Sequence, residues 1–127
     1  MIAVDTSALM AIVLNEPQSE ACMTAIEEAD GLLISAGTVA EALIVASRRN
    51  VGDEVGALIS GLGFEIVSVT AASARRVADA YGRWGKGVHP AALNYGDCFA
   101  YEVAQEHGCS LLYVGEDFVQ TDVRPAL

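Results

Sequence analysis

A chain of 127 residues, 53% of them apolar, is long enough for a sizeable core and reads as one domain over residues 1–127. No apolar run approaches the ~20 residues of a membrane span, and the N-terminus lacks the basic region of a signal peptide, so a cytoplasmic protein is expected. A net charge of −10 repels phosphate and disfavours nucleic-acid binding by simple electrostatics; the acids either keep an apolar protein soluble or gather as ligands for a cation.

The segment Met1-Ile2-Ala3-Val4-Asp5-Thr6-Ser7 organises the rest. Ile2 to Val4 is an unbroken apolar run, which reads as a central strand of a parallel sheet, buried on both faces. It ends in Asp5, and a helical stretch follows over 8–14. Asp5 is therefore expected at the carboxyl edge of the strand, where open α/β sheets bind ligands. An acid placed there is costly unless something cationic answers it. Asn15-Glu16-Pro17-Gln18-Ser19 breaks the pattern, and Pro17 suits the first turn of a second helix running to about Ala29. Residues 32–35 read as a second strand. Gly37-Thr38 then opens a helix, with Thr38 as N-cap and Glu41 in capping-box register. That helix ends at Arg48-Arg49-Asn50, whose bases suit its negative end.

A further helix runs from Gly52-Asp53 to Gly61 and Gly63. Residues 64–69 alternate like a strand with one wetter face. Thr70 or Ser73 starts a helix reaching about Trp84. Gly85 to Pro90 is a loop, and 91–94 is ambiguous. Residues 97–106 read as a helix stopped by Gly108, 110–114 as a strand, and 115–118 as an acidic turn. Residues 122–125 add a short edge strand ended by Pro125. Alternating strands and helices predict an α/β fold: a three-layer α/β/α domain with a mainly parallel central sheet.

Cys22, Cys98 and Cys109 are odd in number and widely spaced, which fits buried reduced thiols rather than a zinc site or disulfides. The pairs Arg48-Arg49 and Arg75-Arg76 read as solvated helix faces. His107 suits a helix-end role, and His89 has no evident carboxylate or serine partner. Tyr81, Trp84 and Tyr95 fit core packing better than stacking on bases.

Four acids share a structural address. Asp5 follows the first strand, Glu41 lies in the first turn of the helix after the second, and Asp117 follows the last; parallel topology brings all three to one edge. Asp97 joins them if its helix starts near that edge. Such a cluster repels itself without a cation, and hard oxygen ligands suit Mg²⁺ or Mn²⁺ rather than zinc. A divalent ion there polarises a phosphoryl oxygen and activates water, and the implied chemistry is phosphodiester hydrolysis. Each acid also has a structural reading: Asp5, Glu41 and Asp97 as helix-start groups, Asp117 as turn chemistry. Thr6 and Ser7 are placed to orient a metal-bound water or support Asp5, and Asn94 to donate its side-chain amide to a carboxylate.

At this point the chain resembles a family. Val4-Asp5-Thr6-Ser7-Ala8, Glu41 after Ser35-Ala36-Gly37-Thr38, Asn94-Tyr95-Gly96-Asp97, and Leu111-Leu112-Tyr113-Val114-Gly115-Glu116-Asp117-Phe118 resemble a PIN-domain ribonuclease. More closely they resemble the VapC toxins of type II toxin–antitoxin pairs. The likeness spans nearly the whole chain. It implies a Mg²⁺- or Mn²⁺-dependent endoribonuclease acting on RNA, with Asp5, Glu41, Asp97 and Asp117 at the family's acidic positions. It also implies a VapB-type antitoxin partner and a toxin homodimer. Glu116 and Asp122 stand as alternatives for the fourth acid.

Two rival readings remain. A phospho-receiver needs a second acid beside Asp5 and a lysine after a late strand, but Thr6 and Ser7 fill those places and the only lysine is Lys86. A PIN-like domain that binds metal or protein without catalysis keeps the same acids.

Overall fold

The computed structural model describes residues 1–127. The elements in chain order are β1 (Ile2–Val4), α1 (Thr6–Val13), α2 (Ser19–Glu28), β2 (Leu32–Ser35), α3 (Ala36–Arg48), α4 (Gly52–Gly61), β3 (Glu65–Val67), α5 (Ala71–Trp84), α6 (Tyr95–Glu106) and β4 (Ser110–Leu112). The four strands form one sheet in the order β3-β2-β1-β4, every pair parallel. Ile2 lies opposite Leu32 on one side and Ser110 on the other.

The apolar runs are unbroken because both faces of the sheet are covered. Ala3, Leu33 and Leu111 face one core with Val77, Trp84 and Val103 of α5 and α6. Val4, Ile34 and Leu112, their chain neighbours, face a second core with Leu9, Cys22, Ala42 and Val55 of α1 to α4. The period-two alternation of strand side chains thus feeds two cores, and the expected three-layer α/β/α architecture is found. All three cysteines are buried and free. No helix is long and apolar enough to cross a membrane.

After β1 the chain moves outward to β2 and β3, then returns to place β4 on β1's other side. The order therefore switches between β1 and β4, the place where α/β sheets open a crevice at their carboxyl edge. Two bonds join these strand exits: Asp5 N–H donates to Leu112 O, and Val114 N–H donates to Ser7 Oγ, each at 3.0 Å.

Several boundaries differ from expectation. Helix α1 begins at Thr6, because Asp5 itself is the N-cap and accepts the Ser7 N–H. Helix α3 begins at Ala36, directly from β2, so the last strand residue is left to cap it: Ser35 Oγ accepts Gly37 N–H at 3.1 Å. The Thr38–Glu41 capping box does not form; Thr38 lies inside the first turn, fully buried, its hydroxyl without a partner. Thr70 and Ser73, offered as alternative starts for α5, act together as its capping box. Strand β3 is an outer strand with one neighbour and shrinks to three residues. The C-terminal tail makes a single parallel bridge, Leu111 to Pro125, instead of a strand. Leu111 N–H donates to Arg124 O and Ala126 N–H donates to Leu111 O, so the missing N–H of Pro125 leaves the bridge intact. The ambiguous 91–94 stretch closes the preceding loop: Leu93 N–H donates to Trp84 O and Lys86 N–H to Leu93 O, each at 3.0 Å.

Candidate active site

Asp5 is held by one oxygen only. Its Oδ2 accepts the Ser7 hydroxyl at 2.6 Å and the Ser7 N–H at 3.0 Å. Its Oδ1 is buried with no hydrogen-bond partner. The residue is 3% exposed. Burial pushes its pKa up from 3.8 to about 6; the Ser7 bonds oppose that rise, and the charge of Glu41 adds to it. Ser7 thus orients Asp5 while anchoring the exit of β4.

Glu41 projects from the second turn of α3 and not the expected first, because the helix already begins at Ala36. Its Oε1 accepts the Thr6 hydroxyl at 2.6 Å, which ties α3 to the first residue of α1. Its other oxygen lies against the backbone of Gly96 in the first turn of α6: a Cβ built on Gly96 falls 1.7 Å from Glu41 Oε2. One turn before Glu41, a Cβ on Gly37 falls 2.3 Å from the Phe99 ring. Both helices start at the same edge, and glycine at each contact lets them meet. The roles of Gly37 and Gly96 were missed in the sequence. The available signal was glycine in the first turn of a helix, where it costs about 1 kcal/mol relative to alanine.

Asp97 lies in the first turn of α6, 7% exposed. Its Oδ2 accepts the Asn94 backbone N–H at 2.9 Å, so Asn94 supports the carboxylate through its main chain and not through the expected side-chain amide. Burial is the main force pushing the Asp97 pKa from 3.8 up to about 7. The Asn94 bond opposes it, and the charges of Asp5, Asp117 and Glu41 add to it. Residues from three separate loops and helix starts therefore act on one carboxylate, and the assumption that α6 starts near the β1 edge holds.

The three candidates for the fourth acid have different partners. Asp117, exposed in the turn after β4, acts on Asp97. Glu116 acts on Tyr113. Asp122 accepts the Tyr101 hydroxyl at 2.6 Å and the Gln105 amide at 3.3 Å, and pairs with Arg83 at 3.5 Å, in a cleft between α5 and α6. Arg76 bridges Glu102 and Glu106 along that cleft, so it is not the purely solvated base expected.

No base of the chain forms a salt bridge with Asp5, Glu41, Asp97 or Asp117. No three of these carboxylates close into a ready-made metal cage. They share one electric field without sharing a fixed coordination shell. The donor set nonetheless suits a small divalent cation. Mg²⁺ keeps several waters and takes only one or two carboxylates directly, and Asp5 Oδ1 is a buried acceptor with nothing to accept from. The neighbouring carboxylate charges that add to the burial-driven rise at Asp5 and Asp97 also attract a cation.

The aromatic residues differ from one another. Trp84 is core, its N–H donating to the Tyr101 hydroxyl at 3.0 Å. Tyr95 is 70% exposed beside Gly96 and Asp97, against the expectation of core packing. His89 packs edge-on against Trp84 and accepts Ala91 N–H through Nδ1, and His107 caps α6 with its ring at Val103 O. Both histidines lie in structural contacts.

Comparison with known proteins bears on the family and the fold. The PIN domain family model matches residues 2–124. Ribonuclease VapC42 of Mycobacterium tuberculosis is 39% identical over 127 residues, covering 97% of each chain. Among solved structures, VapC20 of M. tuberculosis, described as a sarcin–ricin loop cleaving toxin, superposes with a TM-score of 0.79 at 16% identity, covering 98% of this chain and 100% of that one. A toxin–antitoxin complex from Klebsiella pneumoniae superposes with a TM-score of 0.72 at 17% identity, covering 96% and 93%.

Proposed function

This chain belongs to the PIN-domain family of VapC-like ribonucleases, and from that premise we propose that it is an RNA-cleaving toxin whose site is Asp5, Glu41, Asp97 and Asp117. The observation that supports the reading is a buried, unpartnered Asp5 Oδ1 near an Asp97 that feels the charges of Asp5, Asp117 and Glu41, with no base paired to any of the four. Asp5 and Asp97 are the proposed principal ligands of Mg²⁺ or Mn²⁺, with Glu41 and Asp117 as flanking acids that bind directly or through water. Such an ion, when bound, supplies charge to a phosphoryl oxygen and lowers the pKa of a bound water.

The chain's own groups have defined parts in this reading. Ser7 holds Asp5 in one rotamer with Oδ1 free. Thr6 holds Glu41 by one oxygen and Gly96 gives the other its place. The Asn94 N–H holds Asp97. These three carboxylates are thereby oriented before substrate arrives, which is the condition for electrostatic catalysis without reorganisation. A VapB-type antitoxin is part of the same proposal, supported by the VapC relatives and by a structural neighbour solved as a toxin–antitoxin complex; a homodimer is proposed with it from the family resemblance. An acidic pocket without internal bases is a natural receptor for an antitoxin arginine, which bonds two carboxylates at once. A cytoplasmic setting accords with this reading.

The test is cleavage of RNA by the purified protein. Magnesium or manganese should support it and EDTA should stop it. Asp5→Asn and Asp97→Asn should each lose at least about a hundredfold in rate, the usual loss when one oriented electrostatic group is removed. Wild-type rates in either variant would remove that residue from the site, and an inactive wild type would refute the ribonuclease reading.

A further inference from the structure

We propose that Lys86 holds a phosphate of the RNA strand beside the one being cut, with the Gly87 N–H as a second donor. This rests on the ribonuclease reading above and names how an acidic protein grips an anionic substrate.

One peptide unit joins Lys86 to the carboxylate site. Its carbonyl, on Leu93, accepts Lys86 N–H at 3.0 Å, and its N–H, on Asn94, donates to Asp97 Oδ2 at 2.9 Å. Those two bonds, with the C=O and C–N lengths between them, keep Lys86 N within about 8.5 Å of that carboxylate oxygen. The loop carrying the lysine is tightly held. Val88 and His89 N–H both donate to Gly85 O, at 2.9 and 3.1 Å, and the Tyr81 hydroxyl donates to Lys86 O at 3.3 Å. Gly85 is pressed against Tyr81, where a Cβ would fall 2.4 Å from the carbonyl oxygen. Gly87 turns the chain at φ 87°, with open space where a Cβ would stand, and its N–H donates to no main-chain group. Lys86 and Gly87 are both exposed. The main chain is thus fixed, while an ammonium on a flexible four-carbon stem and an unused N–H stay available.

Charge singles this lysine out. At a net charge of −10 the protein as a whole repels phosphate, so a strand is drawn to the site only where a cation is placed for it. Most of the seven bases are committed or remote. Arg76 pairs with Glu102 and Glu106, Arg83 pairs with Asp122, and Arg124 donates to Gly108 O. Arg48 and Arg49 close α3 at the end away from Gly37 and Glu41. Arg75 and Lys86 remain, and only Lys86 is bonded to the peptide that supports Asp97. Lys86 pairs with no acid of the chain. Its charge therefore serves a neighbouring phosphate, while the phosphate being cut faces the carboxylates. A contact of this kind positions the strand and carries no base preference.

The test uses the wild-type protein, Lys86→Ala, Lys86→Arg and Arg49→Ala with a short randomised single-stranded RNA pool in magnesium, reading KM and kcat over a series of potassium chloride concentrations. Fluorescence anisotropy of the same RNA, with calcium in place of magnesium, reads binding apart from cleavage. Lys86→Ala should raise KM roughly three- to tenfold, the range for one solvent-screened, charge-assisted contact, and leave kcat within about twofold. The slope of log KM against log salt should shrink by about 0.7, the value for one phosphate contact to a single strand; a purely structural role would not move that slope. Lys86→Arg should keep the wild-type KM and slope, and so should Arg49→Ala. In one RNA that the protein cuts, methylphosphonate at a single position beside the cut should weaken the wild type and leave Lys86→Ala unaffected. Unchanged KM and slope in Lys86→Ala, or an equal effect from Arg49→Ala, overturns the proposal while leaving the ribonuclease reading in place. Lys86-dependent anisotropy from a protein that cuts nothing upholds the grip and overturns the ribonuclease reading.

Discussion

The two oxygens of Asp5 have opposite fates, and the difference comes from Ser7. One oxygen takes both Ser7 donors, and the other is sealed from water with none. Removing the Ser7 hydroxyl loses its bond to Asp5 and also leaves Val114 N–H without its acceptor. Ser7→Ala should therefore destabilise the protein by about 1–3 kcal/mol, read by chemical denaturation, and should move the Asp5 pKa further above about 6, read by carboxyl-carbon NMR, because the Ser7 bonds hold it down. Unchanged values for both would show that the hydroxyl is dispensable. Gly96 is the second decisive residue. A methyl group there overlaps Glu41 Oε2, so Gly96→Ala should displace Glu41 and lower RNA cleavage at least about tenfold. The displaced group is the movable end of a half-buried side chain and alanine regains helix propensity over glycine, so melting should change by less than about 1 kcal/mol. Cleavage at the wild-type rate would mean that the Glu41 position does not matter.

At the scale of elements, the start of α3 shows where sequence reading stops. A threonine followed three residues later by a glutamate is a capping-box signature, yet the cap is Ser35, because β2 passes into α3 with no intervening loop. The two accounts are distinguishable by mutation. Ser35→Ala should cost about 1 kcal/mol, the usual loss for an N-cap. Thr38→Val should be neutral or stabilising, because its hydroxyl is buried without a partner and an apolar isostere removes that penalty. A large loss from Thr38→Val in denaturant unfolding would restore Thr38 as a bonded group. What was legible follows from local pattern and topology. The unbroken runs at β1, β2 and β4 mark strands buried on both faces, and parallel connection alone predicts Asp5, Glu41 and Asp117 on one edge. What was not legible depends on how distant elements approach. The close meeting of α3 and α6 at Gly37 and Gly96, the main-chain support of Asp97 and the exposure of Tyr95 arise from packing between residues far apart in sequence, which no local period encodes.

Across the whole molecule, an acid cluster in an already acidic chain makes stability depend on pH and on cations. The folded pKa values of Asp5 and Asp97, about 6 and about 7, lie above the ordinary 3.8. An acid whose folded pKa is raised favours folding fully below its unfolded value, and that contribution is lost as pH rises through the folded value. The metal-free protein should therefore be more stable near pH 5.5 than near pH 7.5, by on the order of 1–3 kcal/mol for the two groups together. General charge repulsion at −10 contributes in the same direction, so exposed Glu28 provides a control. Magnesium at about 100 times its dissociation constant should add ~2.7 kcal/mol at neutral pH. The most direct test is thermal melting of wild type, Asp97→Asn and Glu28→Gln at neutral pH, each with and without magnesium. If the four acids form one cation-seeking site, Asp97→Asn melts higher than wild type without metal and loses most of the magnesium response, while Glu28→Gln keeps it. If Asp97→Asn instead melts lower without metal by the equivalent of about 1 kcal/mol, the usual loss of a helix-start cap, and still responds fully to magnesium, Asp97 is a structural cap and the four-carboxylate account is wrong.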